Sequence, residues 1–330
     1  MERTIGSRYA IAMDVGGTNI RSALIDKKGQ IFLTTRRSTE MTIHGCLTKL
    51  VDIIDEIVSR TEGKRIAGVG IGIAALVNEK EGTAKYAPNI LECANMPIKK
   101  IIEKETGIPT FVGKDSNLAA LGEQWIGAGK GYNNLILITL GTGLGCGIII
   151  QGKLYLGQGF AGEFGHTIID QNGPRCNCGN FGCLETLAAG PAIAKKAREV
   201  IEQGKQSLIK DLAKNKADNV TPELVFEAAK RKDKIAIKIV EEVGNIIGIG
   251  LTNLIYLFDP ERILIGGGLS AVGKTLLKPI KKTIQRRCYL VFRNLSSVDV
   301  VLAKLGDRAG LVGAAKLVFQ TLATKQILNK

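Results

Sequence analysis

Nothing in the 330 residues reads as a membrane span, a linker or a low-complexity tract. Two long uncharged stretches, Gly131 to Gly152 and Val243 to Phe258, are the candidates for a span. The first is broken by Gly141-Thr142-Gly143 and Gly145, and the second falls short of the roughly 20 residues a helix needs to cross a bilayer. Both read as buried core. The opening Met-Glu-Arg-Thr-Ile does not resemble a signal peptide. Two standard nucleotide fingerprints are also missing. No Gly-x4-Gly-Lys-Ser/Thr P-loop is present, and Gly16-Gly17 leads into a second strand rather than the helix a Rossmann turn requires.

Acidic residues are outnumbered, 31 against 45 Lys and Arg, which leaves a formal charge of +14. Such a balance suits an anionic partner, whether nucleic acid, nucleotide or phosphorylated small molecule. The cations are scattered, however, and Lys99-Lys100, Lys195-Lys196 and Lys281-Lys282 fall inside helical patterns. Solvated helix faces account for most of them, so no nucleic-acid partner is expected. The length exceeds what one core organises, and a 45% hydrophobic fraction with 40 glycines suits an α/β protein of two lobes and many tight turns. An odd cysteine count of 7 with one metal-like cluster points to a reducing cytoplasm.

Histidine is scarce, with 2 in the chain, and one of them lies among thiols. His166, Cys176, Cys178 and Cys183 fall within eighteen residues punctuated by Gly165, Gly173, Gly179 and Gly182, and flanked by Glu163 and Glu185. Four N or S ligands with no open position make a structural zinc site. So polar and glycine-rich a loop buries no core of its own and needs a metal to hold it. The alternatives are a redox pair or three unrelated cysteines; a single residue between Cys176 and Cys178 does not match the two-residue spacing of a redox dithiol.

Taken in order, residues 9–15, 21–25 and 31–36 read as an antiparallel meander, and 44–60 as a helix with an apolar stripe. A strand over 66–75, a turn at Pro88-Asn89, a helix over 98–106, a strand over 110–113 and a helix over 116–127 capped by Asp115 follow. Residues 10–26 laid over 135–151 at a constant offset of 125 match in pattern, with Ile11/Ile136, Gly16/Gly141 and Ile25/Ile150 identical. Either the chain holds two related lobes or any two hairpins look alike. Beyond the Cys/His loop, helices are expected over 191–203, 222–231, 234–258 and 274–287, strands over 262–265 and 298–303, and a closing small-residue helix over 308–323. A closing helix of this kind packs back on the first domain.

The glycine turns suggest a ligand. Asp14 followed by Gly16-Gly17-Thr18-Asn19 exposes consecutive N–H groups that can hold phosphate oxygens, with Asp14 placed to hold Mg²⁺. Gly141-Thr142-Gly143 and Gly145 form a second such turn, without an acid at the matching position. Gly266-Gly267-Gly268 leaves room for a base and ribose. Each alone is more often a plain turn; three in this order point to a nucleotide.

Together, Asp14-Val-Gly-Gly-Thr-Asn19, Gly141-Thr-Gly-Leu-Gly145, Glu163-Phe-Gly-His166 and the Cys176/Cys178/Cys183 run resemble the ROK family of sugar kinases, within the actin-like ATPase superfamily. The likeness extends from residue 9 to Gly306-Asp-Arg-Ala-Gly-Leu-Val-Gly-Ala-Ala315, and 121–185 is most similar to the glucokinases of that family. It implies an α/β, two-lobed actin-like ATPase (ribonuclease H-like) fold. Residues 1–115 with 313–330 would form the smaller lobe and 116–312 the larger, with ATP and sugar in the cleft between.

The resemblance further implies ATP-dependent phosphorylation of a hexose, glucose foremost, with Mg²⁺ accompanying ATP. Asp115 corresponds to the general base, and Glu163, His166, Glu185 and Asn89 to sugar contacts. Dimers or tetramers are common in the family. Two positions depart from its usual pattern on the sugar side: Lys114 where relatives carry Asn, and Ala74-Ala75 where they carry Pro-Gly. Lys114 can still donate to a hydroxyl, or it can select a different or anionic acceptor. N-acetylmannosamine, fructose and allose remain alternative substrates, and a sugar sensor that has lost activity is a further alternative. A repressor of the same family would need a helix-turn-helix module ahead of Tyr9, where eight residues leave no room.

Overall fold

The computed structural model describes residues 8–40, 42–61, 63–87, 94–288 and 298–328. The meander is present as β1 (Arg8–Val15), β2 (Asn19–Asp26) and β3 (Ile31–Ser38). Thr42 caps α1 (Ile43–Ser59) by accepting from the Gly45 N–H at 3.2 Å, and Cys46, Leu50, Ile53, Ile54 and Ile57 face the core at helical spacing. β4 (Arg65–Ile73) returns parallel to β1. A small antiparallel sheet that the sequence did not announce follows, formed by β5 (Leu76–Asn78), β6 (Thr83–Tyr86) and β7 (Ala94–Met96). After it come α2 (Ile98–Thr106), ended by Gly107 at φ 68°, then β8 (Thr110–Lys114), parallel to β4, and α3 (Asp115–Ile126).

A second sheet is built from β9 (Leu135–Leu140), β10 (Leu144–Ile150) and β11 (Lys153–Leu154). The helices α4 (Leu184–Ala188), α5 (Gly190–Glu202), α6 (Leu208–Leu212), α7 (Pro222–Lys230) and α8 (Lys234–Phe258) come next. Asp233 caps α8 by accepting from the Ala236 N–H at 2.8 Å, and Asp259 ends it in the left-handed region. β12 (Arg262–Gly266), α9 (Lys274–Arg287), β13 (Asp299–Leu302) and α10 (Ala309–Leu328) complete the chain. The uncharged stretch 131–152 holds the β9–β10 hairpin and 243–258 the end of α8; no described helix is long and apolar enough to cross a membrane.

The two large sheets have the same plan. Their orders are β3-β2-β1-β4-β8 and β11-β10-β9-β12-β13, each an antiparallel meander extended by two parallel strands. The constant offset of 125 does not survive the turn, however. Val15 pairs with Ile20 across four residues, whereas Leu140 pairs with Leu144 across three, so beyond the turn the offset is 124. Ile25 therefore corresponds to Ile149, and the Ile25/Ile150 identity has no structural meaning.

Helices α3 and α10 lie between the sheets. One apolar cluster joins Ala10, Ala12 and Ala23 of the first sheet, Leu135, Leu137 and Leu264 of the second, and Leu118, Leu121, Val312 and Ala315 of the two helices. Such close approach demands small residues. A Cβ on Gly313 would collide with the Leu118 carbonyl oxygen, one on Gly122 with that of Ala309, and one on Gly70 of β4 with that of Ala314. The small residues of the closing helix, 309, 310 and 313–315, thus serve its contact with α3 and β4.

Candidate active site and metal cluster

Asp14 lies at the end of β1, half-buried, with Gly310 of α10 against it; a Cβ there would be 3.3 Å from the carboxyl carbon. Burial and the nearby Asp115 push its carboxyl up to about 6, against the opposing pull of Arg21, its cross-strand neighbour. Arg21 pairs with Asp307 at 3.1 Å just ahead of α10. The turn after Asp14 is braced from its own sheet: Gly16 N–H donates to Asn19 O at 3.0 Å, and Thr39 donates from its hydroxyl to Gly16 O at 2.7 Å. Thr18 is exposed and Gly17 half-buried, while the Asn19 side chain accepts from Arg36 Nε at 3.1 Å.

Asp115 does not cap α3. Lys114 occupies the cap position without a side-chain bond, and Asp115 is the first helical residue, accepting from the Ser116 N–H at 2.6 Å. Entering the helix directly from β8 places the carboxylate one residue further along than a cap. Burial raises its pKa, countered by the Ser116 amide and the Lys114 ammonium and reinforced by Glu163. Lys114 Nζ forms an ion pair with Glu163 Oε1 at 2.5 Å.

The second turn is held from outside its sheet. Glu185 Oε2 accepts the Leu144 N–H at 2.9 Å, and the Gly190 N–H donates to Gly141 O at 2.9 Å. A Cβ on Gly143 would lie 2.7 Å from that same carboxylate oxygen, one reason the position is glycine. Thr142 is exposed and Gly145 packs on Ser116. In the third run, Gly266 ends β12 and Gly268 is open, whereas Gly267, at φ 84°, abuts the backbone of Leu140 and so brings this run beside the second turn. Ala74 follows β4 and its N–H reaches Val15 O, at the end of β1, at 3.4 Å; Ala75 is buried. Asn89 lies outside the described residues.

His166, Cys176, Cys178 and Cys183 converge, with their ligand atoms all within 4.8 Å of one another. His166 Nδ1 is 3.6 Å from Cys176 Sγ, and Cys178 Sγ is 3.6 Å from Cys183 Sγ. The left-handed Gly182 lets the loop close against the Asp170 carbonyl, where any Cβ would collide. Three thiols and one imidazole at this spacing fit a tetrahedral metal ion, and turning Nδ1 inward leaves Nε2 for another partner.

Comparison with known proteins bears on the whole arrangement. The model of the ROK family matches residues 10–321. The chain belongs to this family. A glucokinase of Halalkalibacterium halodurans is 38% identical to it over 322 residues, 96% of each chain, and one of Streptomyces coelicolor is 40% identical over 315 residues, 93% of this chain and 96% of that one. The crystal structure of a ROK family glucokinase from Streptomyces griseus in complex with glucose and AMPPNP superposes with a TM-score of 0.82 at 36% identity, covering 94% of this chain and 99% of that one. The two-lobed actin-like architecture expected of a ROK protein is thereby shown.

Two groups in this ROK chain escaped the sequence reading. Glu79 Oε1 accepts from Asn117 Nδ2 at 2.9 Å and from the Lys114 N–H at 3.4 Å, and burial raises its pKa. It thereby grips both sides of the β8–α3 junction that carries Asp115. Glu123, fully buried, accepts from the Ala128 N–H at 2.7 Å and the Leu305 N–H at 2.6 Å, tying α3 to the turn before α10. Glu123 lies within the glucokinase-like stretch 121–185 but the sequence reading gives it no role, and Glu79 sits in a turn rich in charge, Asn78-Glu-Lys-Glu-Gly82, which reads as solvated.

Proposed function

We propose that this ROK protein is an ATP-dependent sugar kinase that transfers the γ-phosphate of ATP to the 6-hydroxyl of a hexose, glucose foremost, releasing hexose 6-phosphate and ADP. The observation that carries the assignment is a half-buried carboxylate, Asp115, at the first turn of α3, near enough to Asp14 beside the Gly16–Asn19 turn for its charge to help raise the Asp14 pKa. The full-length relationship to glucokinases supports glucose as the acceptor.

In this reading Asp115 takes the proton from the attacking hydroxyl, a contribution worth about 10² to 10⁴ in rate. The two Gly/Thr turns hold the phosphates through oriented N–H groups, and Gly266–Gly268 lies along the base and ribose. Glu163, His166, Glu185 and Lys114 face the sugar, with Asn89 completing the set. Because Glu185 already spends one oxygen on the Leu144 amide, it has at most its second for a hydroxyl. Closure of the lobes 1–115 with 313–330 and 116–312 excludes water from the transfer. Their second boundary would fall within the single helix α10.

Asp14 would hold Mg²⁺, since a carboxylate raised to about 6 by burial and a like charge suits a divalent cation. Magnesium supplies charge neutralisation on the phosphate oxygens. His166, Cys176, Cys178 and Cys183 would hold zinc, which stiffens the loop and orients His166. The same reading has the chain working in the cytoplasm as a dimer or tetramer, without nucleic-acid or membrane partners. No disulfide joins the described cysteines, which supports a reducing compartment. A coupled assay over a hexose panel tests the assignment. Turnover with glucose and its loss in Asp115→Asn, with sugar binding retained, are expected; no turnover of any hexose overturns it.

A further inference from the structure

The Lys114–Glu163 pair stands between the two halves of the molecule. Lys114 ends β8 in the first sheet and is the residue before Asp115; Glu163 lies in the loop that leads from the second sheet to the metal cluster. Their side chains are 14% and 29% exposed and 2.5 Å apart, so the ammonium is neither free in the cleft nor lost to solvent. The surroundings are acidic, with the carboxylates of Glu79 and Asp115 also close to Lys114. An ammonium has three donors and a carboxylate two acceptor oxygens, so after bonding each other Lys114 can still donate and Glu163 can still accept. A hydroxyl is a group that does both, accepting from one neighbour and donating to the other.

Resting on the kinase reading above, we propose that Lys114 and Glu163 act as a donor–acceptor pair that reads one hydroxyl of an uncharged hexose and rejects hexoses carrying an anion near that position. A free lysine at the mouth of the cleft would invite an anionic acceptor. Here its charge is already matched. An anionic substituent would have to draw Lys114 away and leave Glu163 unpaired among other carboxylates, an arrangement that partly buried charges resist. Lys114 is a specificity-determining residue in this account and takes no part in proton transfer.

The test compares glucose with glucose 1-phosphate and N-sulfoglucosamine, each retaining a free 6-hydroxyl, in the unmodified protein and three variants. The anionic sugars are expected to show kcat/KM about a hundredfold below glucose. Lys114→Gln should raise KM for glucose about tenfold, since the lost bond is to a charged donor; because it also removes a cation that lowers the Asp115 pKa, kcat is compared on the alkaline plateau of its pH profile, where it should change less than about threefold. Lys114→Arg, which keeps the pair, should stay within about threefold of the original KM. Glu163→Gln lowers activity on glucose, yet by freeing Lys114 it should raise the ratio of anionic to neutral turnover about tenfold. Anionic sugars turned over within threefold of glucose, a KM unmoved by Lys114→Gln in a variant that melts normally, or a ratio unmoved by Glu163→Gln each overturns the proposal. Absence of turnover with every hexose in the unmodified protein would instead fell the kinase reading and this proposal with it.

Discussion

The turn after β1 and the turn after β9 occupy equivalent places in two sheets of one plan, yet they are secured in opposite ways. The first encloses four residues, is braced by its own sheet through Thr39 and Arg36, and follows Asp14, a half-buried acid whose pKa burial and Asp115 raise. The second encloses three residues, follows Thr139 rather than an acid, and is pinned from behind by Glu185 of α4 and Gly190 of α5. Two sheets of one plan thus supply two glycine turns, proposed above to hold the phosphates, and the side chains around them differ in what they bond. On the first side the proposed reading gives the acids to the chemistry; on the second Glu185 spends an oxygen on the Leu144 amide.

If that division is right, the largest losses follow from the first side. Asp115→Asn should reduce kcat by about 10² to 10⁴ with little change in KM for sugar, measured in a coupled assay. Because burial raises the Asp115 pKa, the acidic limb of the kcat profile should lie above the ordinary carboxylate range, activity appearing as the base loses its proton. Asp14→Asn should cost about 10² or more in kcat and also reveal the strain of the site. The folded-state pKa of Asp14, about 6, lies above its unfolded value, so the stability it lends is complete below about pH 4 and is lost as pH rises through about 6. Asp14→Asn should therefore raise the melting temperature at pH 7.5 without Mg²⁺ and leave it nearly unchanged at pH 4.

Effects on the second side should be intermediate and appear in binding. Glu185→Ala frees the Leu144 amide and should raise KM for ATP about tenfold, whereas Glu185→Gln keeps an acceptor and should stay within about threefold. A rise confined to the sugar KM would make Glu185 chiefly a sugar ligand and blur the contrast. Metal analysis should find one zinc per chain, and its removal by chelation should weaken sugar binding more than nucleotide binding, read as separate dissociation constants. The smallest change is expected from Asn19→Ala. Its side chain bonds the exposed Arg36, so KM for ATP should move less than about threefold; a larger shift would put Asn19 on the phosphates.

Much of this was legible in the order of residues. The helix over 98–106 is bounded by Pro97 and Gly107, the one over 234–258 by Asp233 and Asp259, and both have the expected limits. The four metal ligands lie within eighteen residues, so loop closure alone can gather them. Other features were out of reach for a shared reason. The pairing of Lys114 with Glu163 spans 49 residues, the bond from Asn117 to Glu79 spans 38, and that from Leu305 to Glu123 spans 182. No local pattern marks such partners, and in the case of Glu79 the surrounding charges pointed to solvent.

Local chemistry therefore determined the strands, the helices, the glycine turns and the metal cluster, because propensity, capping and short loops act over a few residues. Tertiary structure alone decided that the two hairpins differ by one residue, that Asp115 begins its helix, and which distant partners Lys114, Glu79 and Glu185 find. Those outcomes depend on how two sheets close over α3 and α10, where backbone contact at Gly70, Gly122 and Gly313 sets the spacing and burial then sets the charge.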